Sequence, residues 1–148
     1  MSGSLSRKPP GRFFLDTNVF VYSFDPSDAQ KRQAATELVG DGLASQKGVV
    51  SYQVVQEFFN VALRRFSQPM QTAEAEQYLN VVFRPLLRVH SSQSLYGEAL
   101  HLQDTNYLSW YDSLIVASAI QAECDVLYSE DFQHGQRFGS LRVVNPFL

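Results

Sequence analysis

Four carboxylates stand where acids are costly. Asp16 follows Phe14-Leu15 and precedes Thr17-Asn18, Glu57 lies between Val55-Gln56 and Phe58, Asp112 falls in Trp110-Tyr111-Asp112-Ser113-Leu114, and Asp131 in Tyr128-Ser129-Glu130-Asp131-Phe132. Each adjoins an apolar run expected in or beside the core, and a buried acid without a partner is strongly unfavourable. Taken singly, each has an ordinary account: Asp16 as a helix N-cap, Asp112 as a first-turn acid complementing the helix dipole, Glu57 as a solvated face residue, Asp131 as a turn residue. As a set they ask for a common explanation. Convergence on divalent cations would offset their repulsion and desolvation, and such ions can activate water against a phosphodiester. Thr17, Asn18, Ser113 and Ser129 add hydroxyl and amide groups beside the acids, which suits a hard oxygen-ligand site for Mg²⁺ or Mn²⁺.

Such convergence needs elements that deliver the acids to one place. Short β-like runs alternate with helical patterns: Phe13-Phe14-Leu15, Gly48-Val49-Val50, Leu86-Leu87-Arg88-Val89, Asp125-Val126-Leu127-Tyr128 and Leu141-Arg142-Val143-Val144, with helices expected over about 27–45, 52–66, 71–84, 92–104 and 111–123. This alternation predicts an α/β fold, a mainly parallel sheet with helices on both faces. Ligands bind such sheets at the carboxyl ends of the strands. Asp16 and Asp131 each follow a strand-like run and so share that edge, while Asp112 begins a helix that is apolar nearly all round. Glu57 lies about a turn and a half into the helix after Val49-Val50, whose apolar stripe is Val54, Val55, Phe58, Phe59 and Ala62 and whose expected cap is Ser51.

Composition sets the bounds. At 148 residues, 45% hydrophobic and 18% charged, the chain is read as one globular domain over residues 13–148 behind a Ser/Gly/Pro-containing tail, residues 1–12, expected to be flexible. No run approaches the roughly 20 apolar residues that cross a bilayer, and the tail has no signal-peptide h-region. The single Cys124 excludes an internal disulfide and a cysteine-based zinc site, so a cytoplasmic setting is the default expectation and Cys124 is read as a small buried residue. A net charge of −3 argues against coating nucleic acid by bulk electrostatics. It leaves room for an acidic nuclease, because bound metal inverts the local field.

Leu15-Asp16-Thr17-Asn18, the helical Glu57, Tyr111-Asp112-Ser113-Leu114-Ile115-Val116-Ala117, and Leu127-Tyr128-Ser129-Glu130-Asp131 with the closing Asn145-Pro146-Phe147 resemble PIN-domain proteins, and among them the small VapC-type toxins of toxin–antitoxin pairs. The similarity runs from about Phe13 to the end. It implies a compact three-layer α/β/α sandwich and a metal-dependent endoribonuclease that hydrolyses RNA phosphodiester bonds, with Mg²⁺ or Mn²⁺ as cofactor. It also implies a homodimer held in check by a cognate antitoxin. Carried over, Asp16, Glu57, Asp112 and Asp131 match the family's acidic quartet, and Asn18 and Ser129 its polar helpers. The chain departs at the last motif, where many relatives have Thr-x-Asp-x-Asp-Phe. Glu130 is therefore a candidate to share the fourth acid's role, with Asp131 preferred.

Other residues and rival readings carry less. His90, His101 and His134 have no metal-ligand spacing, although His134 is near enough to the fourth acid to be a candidate phosphate contact. Arg64-Arg65 ends the Glu57 helix, where cations complement the dipole; they are also the candidate RNA-backbone contacts, with Arg7, Lys8 and Arg12 as alternatives. A phosphoacceptor receiver domain would need a lysine after a late strand, and Tyr128-Ser129-Glu130 offers none. Asp16-Thr17-Asn18 replaces the glycine-rich turn of a dinucleotide site. The serious alternative is a catalytically silent RNA- or protein-binding module on the same fold, which would gain nothing from crowded carboxylates.

Overall fold

The structure, a computed structural model, describes residues 11–148. Most of the expected tail, including Arg7 and Lys8, lies outside the described residues. Arg12 opens the first strand, and its guanidinium donates to the Ala122 carbonyl at 3.0 Å.

The strands are β1 (Arg12–Leu15), β2 (Gly48–Ser51), β3 (Leu87–Val89), β4 (Cys124–Tyr128), β5 (Arg137–Phe138) and β6 (Leu141–Val144). They form one sheet in the order β3-β2-β1-β4-β6-β5, parallel throughout except for the β5–β6 pair. β1 and β2 are buried along almost their whole length, as strands covered on both faces must be. The chain leaves β1 toward β2 on one side and returns through β4 on the other. That reversal opens a crevice at the carboxyl ends of β1 and β4, the place where open α/β sheets bind ligands.

Around the sheet pack α1 (Thr17–Tyr22), α2 (Ala29–Ser45), α3 (Tyr52–Ala62), α4 (Thr72–Tyr78), α5 (Arg84–Leu86), α6 (Gln93–Asn106) and α7 (Trp110–Gln121). The mainly parallel α/β architecture is the one that the alternation of runs predicts. Four of the helices start on capping side chains that accept from the first turn: Asp16 from Thr17 N, Asp28 from Lys31 N, Ser92 from Leu95 N and Ser109 from Asp112 N. Ser51 occupies the N-cap position of α3 but makes no such bond, and its Oγ is buried without a partner. Among the described residues no helix is long and apolar enough to cross a membrane.

Three features differ from the sequence reading. The short helix α1 stands outside the five expected helical stretches, although Asp16 is its N-cap. The helix expected over 71–84 is wound as a π segment across Leu79–Phe83 before α5, with Arg84 N bonding to Leu79 O. Pro85 explains this, since it has no N–H to give the preceding turn and its ring crowds the carbonyl there. β5 and β6 form a hairpin across Gly139-Ser140, with Gly139 at φ 62°. That dipeptide between β-like pairs is a recognisable hairpin signal.

The backbones of α2 and β2 touch directly. A Cβ on Gly48 would stand 2.6 Å from the Gly42 Cα and 3.1 Å from Leu86 Cδ2, whereas a Cβ on Gly40, in the same helix, would meet nothing within 4 Å. Gly48→Ala is therefore expected to cost roughly 1–3 kcal/mol by overpacking. Gly40→Ala is expected to gain up to about 1 kcal/mol from helix propensity. Urea unfolding of both variants checks this, and equal effects would refute the close approach.

Candidate functional site

Asp16 is the last residue before α1, 3% exposed, with β-region backbone. Its Oδ1 accepts from Thr17 N at 2.7 Å, and its Oδ2 accepts from Ser129 Oγ at 2.7 Å. The ordinary account of Asp16 as an N-cap thus holds, and the same carboxylate also reaches across to the end of β4. Burial is the main cause that pushes its carboxyl up to about 7. The bonds from Ser129 and Thr17 pull it down, and repulsion from Asp131 and Glu57 adds a smaller rise. Desolvation thus outweighs the mutual repulsion of the acids.

Ser129 organises the far side. It is fully buried; its Oγ donates to Asp16 and accepts from Asp131 N at 3.0 Å and from Asn18 Nδ2 at 3.4 Å. Asn18 Nδ2 also donates to Asp131 Oδ2 at 3.2 Å, so α1 holds the loop after β4 through two side chains. Asp131 lies at the solvent edge. Its carboxyl is raised by partial desolvation first, opposed by the Asn18 bond, with Asp112, Glu130 and Glu57 adding repulsion.

Glu57 enters from α3. Its Oε1 accepts from Thr17 Oγ1 at 2.7 Å and its Oε2 from Gln53 Nε2 at 3.2 Å. Gln53, one helical turn earlier, also donates to the Tyr111 carbonyl at 3.2 Å and so links α3 to the start of α7. The four-residue spacing of Gln53 and Glu57 is the sequence signal for that pair. Asp112 is half-buried in the first turn of α7; desolvation raises its carboxyl, a hydrogen bond with Ser109 lowers it, and Glu57 repels it. The four acids from four separate segments thus lie within electrostatic reach of one another at the crevice.

Not every polar neighbour belongs to this group. Ser113 Oγ donates to the Ser109 carbonyl inside α7. His134 Nδ1 accepts from Asn145 N at 3.0 Å and so ties down the closing segment of the chain. Glu130 turns away from its neighbour Asp131: its Oε2 accepts from the Tyr22 hydroxyl at 2.7 Å, and its Oε1 lies 3.7 Å from Lys31 Nζ. Lys31 also sits 4.6 Å above the Tyr22 ring, which packs on Phe147 with centroids 4.8 Å apart. Arg64 and Arg65 are exposed beyond the last turn of α3.

Among the described residues no three carboxylate, histidine or cysteine side chains lie close enough together to hold an ion among them. Mg²⁺ asks for less, because it takes one or two carboxylates directly and keeps water in its other positions. The donor set fits that requirement. It is all oxygen, it includes one carboxyl raised mainly by burial, and Asn18 Oδ1 is a buried acceptor without a protein partner.

The PIN domain family model matches residues 13–136. No curated protein matches the chain. Among solved structures, a toxin–antitoxin complex from Klebsiella pneumoniae is similar at 18% identity over 90% of this chain and 97% of that one, with a TM-score of 0.64. VapC20 of Mycobacterium tuberculosis, described as a Sarcin-Ricin loop cleaving toxin, is similar at 19% identity over 80% and 89%, with a TM-score of 0.57. VapBC2 of Rickettsia felis, bound to a DNA fragment from its promoter, is similar at 18% identity over 88% and 96%, with a TM-score of 0.54. At these identities the likeness is one of fold.

Proposed function

The chain belongs to the PIN domain family, and from that premise we propose that it is a metal-dependent endoribonuclease, the toxin of a toxin–antitoxin pair. The observation that carries this reading is the meeting of Asp16, Glu57, Asp112 and Asp131 at the crevice between β1 and β4, held by Thr17, Asn18, Gln53 and Ser129. A catalytically silent module would have no use for a buried carboxyl pushed up to about 7 beside three other acids. The toxin–antitoxin assignment follows the solved relatives, one of which is described as a toxin–antitoxin complex and one as a Sarcin-Ricin loop cleaving toxin.

Asp16, Glu57, Asp112 and Asp131 are the residues that would hold Mg²⁺ or Mn²⁺, one or two of them directly and the others through the ion's waters. When bound, the ion supplies polarisation of the scissile phosphate, activation of water and compensation of charge on the leaving oxygen. The chain's own contribution is placement. Ser129 and Thr17 fix the two oxygens of Asp16, Thr17 and Gln53 aim Glu57, and Asn18 aims Asp131. Glu130, held by Tyr22 and Lys31, serves as a support for the loop rather than a fifth ligand. Arg64 and Arg65 are the exposed cations offered to the RNA backbone. The partners are RNA, a second copy of the chain and an antitoxin segment, for which a basic side chain among the acids would be electrostatically matched.

Calorimetric titration of the purified protein with Mn²⁺ and Mg²⁺, beside Asp112→Asn, tests the reading without knowledge of the RNA target. Saturable binding in the wild type that is lost in the variant is the expected result. A folded, antitoxin-free wild type that binds neither ion would move the assignment to the silent RNA- or protein-binding module.

A further inference from the structure

Four aromatic residues lie on, or pack beside, the helices that carry Glu57 and Asp112. Tyr52 opens α3, Trp110 and Tyr111 open α7 immediately before Asp112, and Tyr96 of α6 joins the two groups. The Tyr96 hydroxyl is near enough to that of Tyr52 to help hold the Tyr52 phenol above its ordinary range, after burial, and the Tyr96 ring lies 6.2 Å from Trp110 at an interplanar angle of 38°. Tyr96 is 40% and Tyr111 64% exposed, so both rings offer a face to solvent. Their position relative to the acids is fixed: Gln53, itself buried, donates to Glu57 and to the Tyr111 carbonyl at 3.2 Å each.

We propose that this cluster is a base-stacking subsite for single-stranded RNA, in which the exposed ring of Tyr111 and that of Tyr96, which packs on Trp110, receive nucleobases flanking the scissile phosphate. The position of that phosphate rests on the nuclease reading given above. Residues 105–111 and 52–56, the segments that carry the rings to this edge, contain no lysine or arginine. Affinity at this edge therefore cannot come from neutralising phosphates, and it must come from faces and hydrogen bonds. Every base has a π face, and single strands leave it open where a duplex covers it. A chain whose phosphate lies against the acids places its neighbouring bases within reach of rings that directly precede Asp112. Stacking of this kind tolerates many sequences, so the cluster would favour unpaired RNA without selecting one base.

Trp110 is the only tryptophan in the chain, so its fluorescence reports from inside the cluster. The full chain is titrated with a short single-stranded oligoadenylate and with an abasic sugar–phosphate chain of the same length, each with Mg²⁺ and with EDTA. Comparing the two ligands under one ionic condition cancels the interaction of the phosphates with the acids. The expected result is saturable quenching by the oligoadenylate that exceeds that by the abasic chain. Tyr111→Ala should weaken the base-dependent affinity by about tenfold or more, and Tyr111→Phe should retain it. Tyr111 is exposed enough that neither change should unfold the protein, and circular dichroism melting confirms that. Absence of quenching under both conditions, or an equal response to the abasic chain, overturns the proposal. So does a fluorescence change that tracks protein concentration alone and disappears with dimerisation in Tyr111→Ala, because the surface then belongs to a second copy. Base-dependent quenching in a protein that binds neither Mn²⁺ nor Mg²⁺ would remove the nuclease reading and leave the subsite standing. Cation binding without base-dependent quenching would do the reverse.

Discussion

Asp16→Asn is expected to abolish divalent-cation binding and RNA cleavage while making the metal-free protein more stable above neutral pH. The ionised Asp16 is the costliest charge in the crevice, with its carboxyl pushed from 3.8 to about 7 mainly by burial. That gap corresponds to an ionisation penalty of about 4 kcal/mol at pH well above 7. The folded state binds the proton more tightly than the unfolded chain, so this acid costs nothing below about pH 4. Its penalty grows as pH rises between the two values and is complete above about 7. Asparagine removes the charge. Its amide oxygen can still accept from Thr17 N, while the hydroxyl of Ser129 loses an acceptor, a loss of about 1 kcal/mol. The balance above neutral pH is a gain of roughly 2–3 kcal/mol for the variant.

Urea unfolding of both proteins in EDTA, at pH 5 and pH 8, reads the difference. It should favour asparagine more strongly at pH 8. Addition of Mn²⁺ at pH 8 should stabilise the wild type alone, by mass action on the folded state. A stability difference that does not change with pH would show that the Asp16 carboxyl is not held in the neutral form, and would remove the strain that cation binding is proposed to relieve.

Phe58→Ala should be among the most damaging core substitutions. Phe58 is fully buried beside Glu57 in α3, and six rings surround it: Tyr78 stacked at 5.1 Å, Phe59 and Phe83 at 5.3 Å, Phe24 at 5.9 Å, Phe66 at 6.0 Å and Phe20 at 6.4 Å. These rings come from α1 and the turn after it, α3 and the segment after it, α4 and the π segment, so Phe58 is where the elements on this side of the crevice meet. Truncation to alanine is expected to cost about 3–5 kcal/mol. That is a large share of the roughly 5–15 kcal/mol by which domains are stable. Phe58→Leu should cost much less, since most of the volume is kept. Thermal melting of both variants in EDTA is the check. A cost for alanine under about 1 kcal/mol would mean that neighbouring rings close the cavity freely. Because Glu57 sits on the same turn, the alanine variant should also bind Mn²⁺ more weakly than the leucine variant.

Much of this molecule is legible in the chain before any coordinates are seen. Short apolar runs such as Phe13-Phe14-Leu15 and Val126-Leu127 alternate with helical patterns, and that rhythm alone calls for a parallel sheet, because parallel strands need crossovers. The acids are legible because each stands at an element end beside buried residues. The PIN resemblance drawn from them is borne out by the match over residues 13–136. Local chemistry also marks the helix starts at Asp28, Ser92 and Ser109.

What the chain leaves open is everything settled between residues far apart in sequence. The π winding at Leu79–Phe83 depends on Pro85 inside a strongly helical stretch, where a one-dimensional pattern shows only helix. The choice between Glu130 and Asp131 is not local either. The two are adjacent acids in a loop, and only the family resemblance, not their local chemistry, prefers Asp131. In the folded chain Asn18 holds Asp131 across 113 positions, while Tyr22 takes Glu130 across 108. The aromatic group at the edge of the crevice is likewise assembled from α3, α6 and α7. The sequence by itself determined the main strands and helices and which acids lie beside them, because those follow from nearest neighbours and periodicity. Tertiary structure decided which acid Asn18 holds, which has its carboxyl pushed up by burial and which is drawn off to Tyr22 and Lys31, because solvent exclusion and hydrogen-bond partners exist only once distant segments meet.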